Sequence, residues 1–297
     1  MTISSTLQFS GWGIGALLRV TGEDAATFLQ GQFTNELRNL KTGGAVYGLW
    51  LNQKGKVVAD SFVIAGAAGG GFFIVSYFCE AAGLQQRLED YIIADDVAVE
   101  DLTKDWTGVS LVGEGAAAWS AGQVNQPGMR FAGRRTKGEN VEWIFPRAEL
   151  AAVRAQLVGF TEIGCEELAR VRIEAGIPAV PADIGAGDLP GEGGLEGETI
   201  SYTKGCYLGQ EVMARLKSMG QVRRRLKRVG GRGEAPQAPA ALWQGGRQVG
   251  ELRSAAKKEN GFVGLAMLSL VNFQPEQALA LTTGGAAEIR LAAETSP

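Results

Sequence analysis

The chain has 297 residues, of which 45% are hydrophobic and 21% charged, and a formal net charge of −3. That length suggests about two domains, and the near-neutral balance argues against a polycation built to neutralise nucleic-acid phosphates. Histidine is absent, which excludes Ser-His-Asp triads, Cys-His dyads and histidine zinc sites within the chain. Proton transfer then falls to carboxylates, lysine, tyrosine, thiol or water.

The start, Met1-Thr2-Ile3-Ser4-Ser5, lacks a basic region, an apolar stretch and an Arg-rich amphipathic leader, and no later run approaches the roughly 18 apolar residues of a membrane helix. The expectation is a cytoplasmic protein with no membrane partner. Thr21-Gly22-Glu23-Asp24 resembles a helix start with Thr21 as N-cap, and Gly31 is expected to end that helix. Val46 to Leu51, Val57 to Ile64 and Phe72 to Ser76 read as strands, linked through Asn52 to Gly55 and Gly66 to Gly71, and Leu84 to Ile93 reads as a helix. A fainter second unit follows, with strands at Trp106 to Val112 and Glu142 to Phe145 and helices at Ala148 to Leu157 and Glu166 to Ala175. Strands grouped before helices argue for α+β layers over a βαβ array. Residues 176–198 are rich in Gly, Pro, Asp and Glu without periodicity and read as a long loop of the kind that lines sites.

Thr199 to Thr203 is β-branched and aromatic, as a strand would be, and Val212, Leu216 and Met219 share one helical stripe, closed by Gly220 as a left-handed stop. Between them lies Lys204-Gly205-Cys206-Tyr207-Leu208-Gly209-Gln210-Glu211. Cys206 would thus occupy a strand-to-helix corner, where free N–H groups, the positive helix end and the Lys204 ammonium favour a thiolate. Cys79 and Cys165 have no such surroundings, and three cysteines without a Cys-x-x-Cys spacing fit a reducing compartment. After Gly220, short runs at Gln221 to Val229, Gln248 to Arg253, Phe262 to Leu270 and Ala286 to Leu291 read as a β-barrel. The expected division is 1–220 and 221–297.

The octapeptide resembles the Lys-Gly-Cys-Tyr-x-Gly-Gln-Glu signature of the YgfZ family, folate-binding relatives of the glycine cleavage system T protein. Phe28-Leu29-Gln30-Gly31-Gln32-Phe33-Thr34-Asn35, Leu51-Asn52-Gln53-Lys54-Gly55-Lys56 with Asp60, Gly250 to Ser254 and Gly264-Leu265-Ala266 resemble further landmarks of that family. The resemblance implies a T-protein-like intertwined α+β body, of two subdomains that bind folate, followed by a small C-terminal β-barrel. It implies tetrahydrofolate as cofactor and a role in iron-sulfur cluster assembly or repair, with links to tRNA modification. Folate and iron-sulfur client or assembly proteins would be the partners, and the chain would not be a classical enzyme.

Under this reading Cys206 supplies the reactive thiol, and Gln32, Asn35, Asn52, Asp60, Lys204, Tyr207, Gln210, Glu211 and Arg215 are the cofactor-binding candidates, with no metal site. Glu211 and Arg215, four apart, would otherwise be an ordinary exposed pair, and polar residues at turns need no ligand. Asp60 stands in an apolar strand beside Ala59, where T proteins carry two adjacent acids, one used in aminomethyl transfer. The rival reading is a tetrahydrofolate-dependent aminomethyltransferase acting through Asp60, and a third is folate binding without a reactive thiol. Arg215 to Gly233 carries eight basic residues, no acid and no aromatic, so direct nucleic-acid binding is a weak reading; attraction of a folate tail or of an acidic partner protein fits better, the folate tail ranking slightly ahead.

Overall fold

A computed structural model describes residues 7–67, 70–123 and 126–292, and within them all but the side chain of Met219. In chain order the elements are β1 (Gln8–Trp12), β2 (Ala16–Thr21), α1 (Ala25–Gln32), β3 (Ala45–Leu51), β4 (Val57–Ala65), β5 (Phe72–Ser76), α2 (Ala81–Glu89) and β6 (Ala98–Asp101). Then come β7 (Trp106–Val112), α3 (Ala116–Gly122), β8 (Met129–Ala132), β9 (Asn140–Pro146), α4 (Leu150–Gln156), β10 (Thr161–Glu162), α5 (Cys165–Glu174), α6 (Glu196–Thr199) and α7 (Gln210–Met219). The last strands are β11 (Arg224–Gly231), β12 (Ala240–Gln244), β13 (Arg247–Lys258), β14 (Gly261–Ser269), β15 (Leu279–Ala280) and β16 (Ala287–Leu291).

The strands form two five-stranded sheets, ordered β3-β4-β5-β2-β6 and β10-β1-β7-β9-β8. Because β1 and β2 belong to different sheets, the chain crosses between them at Gly13 to Gly15, which interlocks the two halves. A Cβ on Gly15 would stand 2.8 Å from the Cys79 carbonyl oxygen, so the crossing admits no larger residue. The facing surfaces meet through Tyr47, Phe62 and Tyr77 of one half and Phe131 and Ile144 of the other. Each such side chain, taken out of water, stabilises the join by about 2 kcal/mol. Glu142 is buried in this seam, accepting from Ser110 Oγ at 2.6 Å, Tyr77 Oη at 3.0 Å and Asn140 Nδ2 at 3.2 Å.

Strands β11-β14-β13-β12-β15-β16 close into a barrel around Val229, Leu242, Leu252, Phe262 and Leu268. A register shift between Leu252 and Ser254 bends the long β13 so that it can pair on both sides. The body is therefore a T-protein-like mixed fold with a six-stranded barrel appended, as the resemblance implied. Ile173 of α5 packs on Val263 and Leu265 of the barrel. Two ion-pair clusters complete the seam: Arg172 with Asp183 at 2.7 Å and Arg224 with Asp188 at 3.1 Å and Glu192 at 3.0 Å.

Several local expectations need correction. Thr199 to Thr203 is not a strand: Thr199 ends α6, its hydroxyl donating to Leu195 O at 2.7 Å, and Thr199 and Ile200 serve burial rather than pairing. Cys206 consequently follows an irregular segment. Thr21 is the last residue of β2, not a helix cap; Asp24 takes the N-cap position and its carboxylate binds the Asp96 amide. Gly220 leaves α7 at φ −101, extended rather than left-handed, because the chain runs straight on towards β11. The helix expected at Leu84 to Ile93 runs from Ala81 to Glu89. Of the α7 stripe, Val212 and Leu216 are half-buried, Met213 is buried instead, and the side chain of Met219 lies outside the described residues. Residues 176–198 are not an extended loop: they contain a one-turn helix at Pro190–Gly193 and buried Val180, Asp183, Ile184 and Glu192, and Ile177, Pro178, Gly193 to Leu195 and Glu198 line a hollow, as expected of a site-lining segment.

Candidate functional site

Lys204 organises the octapeptide. Its ammonium is buried and donates to the carbonyl oxygens of Gln30 (2.8 Å), Phe33 (2.6 Å) and Asn35 (2.8 Å), so all three donors close the C-terminal end of α1. Burial pulls its pKa down to about 8. Tyr207 is buried below it, with the ammonium 5.3 Å from the ring centre, and the hydroxyl has no partner. Leu208 N donates to Gly31 O at 3.1 Å. Gly209 caps α7 at φ 85, where a Cβ would stand 2.9 Å from Asn52 O and 3.3 Å from Leu51 Cβ. Its close approach is therefore to the β3–β4 turn. These contacts immobilise the residues on both sides of Cys206, whose own side chain is exposed.

Cys206 stands on the rim of a hollow of about 710 Å³ formed by α1, the Leu37 to Leu40 segment, Ala65 to Ala67 and Gly71. Its walls are largely apolar, with Leu37, Leu40 and Phe72. Gln30 Nε2, a lining group, is buried without a partner. Gly31 and Gly205 both have open space where a side chain would be.

The remaining candidates are distributed elsewhere. Gln32 accepts from Arg87 Nη2 at 3.0 Å. Asn35 Nδ2 donates to the carbonyls of Tyr47 (2.9 Å) and Glu198 (3.0 Å), tying α1 to α6. Asn52 Oδ1 accepts from the amides of Lys54 (2.9 Å) and Lys56 (3.1 Å) and closes a turn. Glu211 and Arg215 pair with each other on the open face of α7, and Gln210 begins that helix. Asp60 is 2% exposed; Tyr47 Oη (2.8 Å), Ser76 Oγ (3.1 Å) and Cys79 Sγ (3.4 Å) all donate to it, and burial raises its pKa. Neither Asp60, nor Glu211, nor Arg215 lines a described hollow.

A second and separate hollow, about 820 Å³, opens where the β8–β9 connection, the packed 176–198 segment and β11 meet. It shares no lining residue with the first. Among the described residues, Arg134, Lys137, Arg225, Lys227 and Arg228 line it together with one carboxylate, Glu198, which pairs with Arg134 at 2.8 Å. The Arg134 guanidinium also lies over the Tyr47 ring, 4.1 Å from its centre, and the hydroxyl of that tyrosine donates to Asp60. Arg134, Lys137 and Glu198 were not singled out from the sequence. The signal was the basic turn Gly133-Arg134-Arg135-Thr136-Lys137-Gly138.

Comparison with known proteins agrees with this architecture. The GCVT N-terminal domain matches residues 16–125 and the CAF17 C-terminal beta-barrel domain residues 223–295. The mitochondrial iron-sulfur cluster assembly factor IBA57 of Homo sapiens is 30% identical, across 85% of this chain and 74% of its own length. The chain belongs to the YgfZ/IBA57 family. The tRNA-modifying protein YgfZ of Hamiltonella defensa is 23% identical over 93% of this chain and 86% of its own length. Among solved structures, the glycine cleavage system aminomethyltransferase T from Bartonella henselae superposes with a TM-score of 0.78 over 97% of this chain and 86% of its own, at 19% identity, which establishes a shared fold. No helix among the described residues is long and apolar enough to cross a membrane.

Proposed function

We propose that this YgfZ/IBA57 family member is a folate-binding accessory factor for iron-sulfur proteins that separates its two tasks between its two hollows. The basic hollow takes the folate, and Cys206 presents a thiol to a client protein on the other. The observation that carries this is an exposed thiol beside an open hollow, while Lys204, Tyr207 and Gly209 of the same octapeptide are locked into the scaffold. A cysteine needed only for packing would be buried, as Cys79 is.

The basic hollow fits a reduced folate by its donor set. Glu198 can accept from the amino and ring N–H groups of a pterin, Arg134 can donate to its carbonyl, and the surrounding cations suit the glutamate carboxylates. A folate supplies a one-carbon carrier; the residues named here bind and orient it. Names of relatives support the client class, since one group is called iron-sulfur cluster assembly factors and another tRNA-modifying proteins.

The aminomethyltransferase alternative asks for a carboxylate that a ligand can reach. Asp60 is enclosed by three donors and lines neither hollow, which favours the accessory reading.

Two measurements test the proposal. Tetrahydrofolate binding by calorimetry should weaken about tenfold in Glu198→Gln, the loss of one charge-assisted bond, and stay unchanged in Cys206→Ser. In cells lacking their own relative, Cys206→Ser should fail to restore iron-sulfur enzyme activity, while Asp60→Asn retains it if folded. Restoration by Cys206→Ser would remove the thiol from the mechanism, and unaltered binding by Glu198→Gln would remove the folate from this hollow.

A further inference from the structure

Arg134 lines the basic hollow with its position fixed from three directions. Its backbone N–H donates to Tyr77 Oη at 3.0 Å, its guanidinium lies over the Tyr47 ring, and its Nε and Nη2 donate to Glu198 Oε2 at 3.0 and 2.8 Å. The Tyr47 ring is itself held, since its hydroxyl donates to the buried Asp60 at 2.8 Å and the ring packs against Phe62. Only 13% of the Arg134 side chain is exposed, against 65% of the Glu198 side chain. Among the described residues, Arg134 Nη1 and Glu198 Oε1 make no hydrogen bond, so each is left for what enters the hollow.

Side by side, these two groups offer a donor and an acceptor that cannot exchange roles. A guanidinium has no acceptor atom, and an ionised carboxylate has no donor. A flat heterocycle that touches both must therefore turn a donor towards Glu198 and an acceptor towards Arg134. The 2-amino-4-oxo edge of a pterin does this, with its amino group and N3–H on the carboxylate and O4 on the guanidinium. Exchanging O4 for an amino group reverses two positions at once, because N3 becomes an acceptor and position 4 a donor.

We infer that this hollow selects 4-oxopteridines and rejects their 2,4-diamino analogues, with Arg134 as the specificity-determining residue and Tyr47, which does not line the hollow, as the residue that positions it. This rests on the folate reading above and adds the chemical form that is selected. Each reversed contact forfeits a charge-assisted hydrogen bond, about tenfold in affinity, so the two together amount to about 100-fold.

The experiment compares calorimetric affinities of the full chain for tetrahydrofolate and 4-amino-4-deoxytetrahydrofolate; their ratio is the readout. A preference of about 100-fold for the 4-oxo form is expected. Arg134→Gln supplies an amide that accepts as readily as it donates, so the ratio should fall to about tenfold or less through weaker binding of tetrahydrofolate. Tyr47→Leu takes the ring from beneath the guanidinium and should also lower the ratio, by about threefold, whereas Tyr47→Phe keeps the ring and should leave it alone. A tyrosine that served only the fold would lower the melting temperature in Tyr47→Leu without moving the ratio. Thermal melting identifies any variant that fails to fold, and the ratio on the unmodified chain then decides. Equal affinities for the two ligands, or a ratio that neither Arg134→Gln nor Tyr47→Leu changes in folded protein, would overturn the inference. Tetrahydrofolate bound without preference would leave the folate proposal standing, whereas no binding of either ligand would remove both.

Discussion

Cys206 and Cys79 carry the same functional group into opposite surroundings. Cys206 lies open on the rim of the apolar hollow, whereas Cys79 points at Asp60 Oδ1 and Val180 O, and burial pushes its thiol up to about 12. Iodoacetamide at pH 8 should therefore alkylate Cys206 and the exposed Cys165 within minutes and leave Cys79 untouched until denaturant is added. Intact-mass spectrometry reads this as two adducts, then three; a third adduct forming in the native protein at the rate of the first two would contradict the burial of Cys79. The sequence exposed the identity of the reactive candidate because the octapeptide is distinctive. It did not expose the roles of its neighbours: Lys204 looked like an electrostatic activator and is a helix-end clamp, since its three acceptors come from residues some 170 positions earlier and leave no local trace.

At the level of elements, α7 is held at its first turn against the β3–β4 hairpin. Gly209 at φ 85 and Gly55 at φ 69 meet there, and a Cβ on Gly55 would reach 2.8 Å from Met213 Cε. Gly209→Ala combines an unfavourable φ with a contact to Asn52 O, so it should lower stability by about 1–3 kcal/mol. Urea unfolding followed by circular dichroism measures the loss, and an unchanged midpoint would mean that α7 can shift without cost. Strands β3, β4, β5, β7 and β9 were legible because each is a continuous apolar run between turn residues. The 199–203 segment misled for the same reason: β-branched residues that fill a core read like residues that pair in a sheet. The short edge strands β6 and β8, and the five-residue β1 with Gly11 within it, offered too little periodicity to be found.

On the scale of the whole molecule, the two interlocked halves share a seam of buried acids and hydroxyls that binds stability to pH. Tyr47 and Tyr77 are both held well above their ordinary value of 10.0 by burial, with the nearby carboxylates of Asp60 and Glu142 adding to it. A hydroxyl whose pKa is raised on folding keeps its proton in the native state after the unfolded chain has released it. The native state is consequently whole below pH 10 and loses ground above it, by about 1.4 kcal/mol per pH unit for each of the two tyrosines. Lys204 acts with the opposite sign: with its folded pKa near 8, below the ordinary value, its contribution improves as pH rises from 8 towards 10.5, and then stops. Melting temperature plotted against pH should thus hold level or rise slightly to about pH 10 and then fall steeply. Absorbance of phenolate at 295 nm gives an independent reading, since Tyr47 and Tyr77, two of the five tyrosines, should remain un-ionised until the cooperative transition and ionise with it. Replacing both by phenylalanine removes two of the titrating groups and leaves Tyr207, whose pKa burial also raises to about 12, so the alkaline fall should become shallower even where the neutral stability is lower. A melting temperature level through pH 11, or all five phenolates appearing before unfolding, would show that water reaches the seam and that the two halves are less tightly joined than their packing implies.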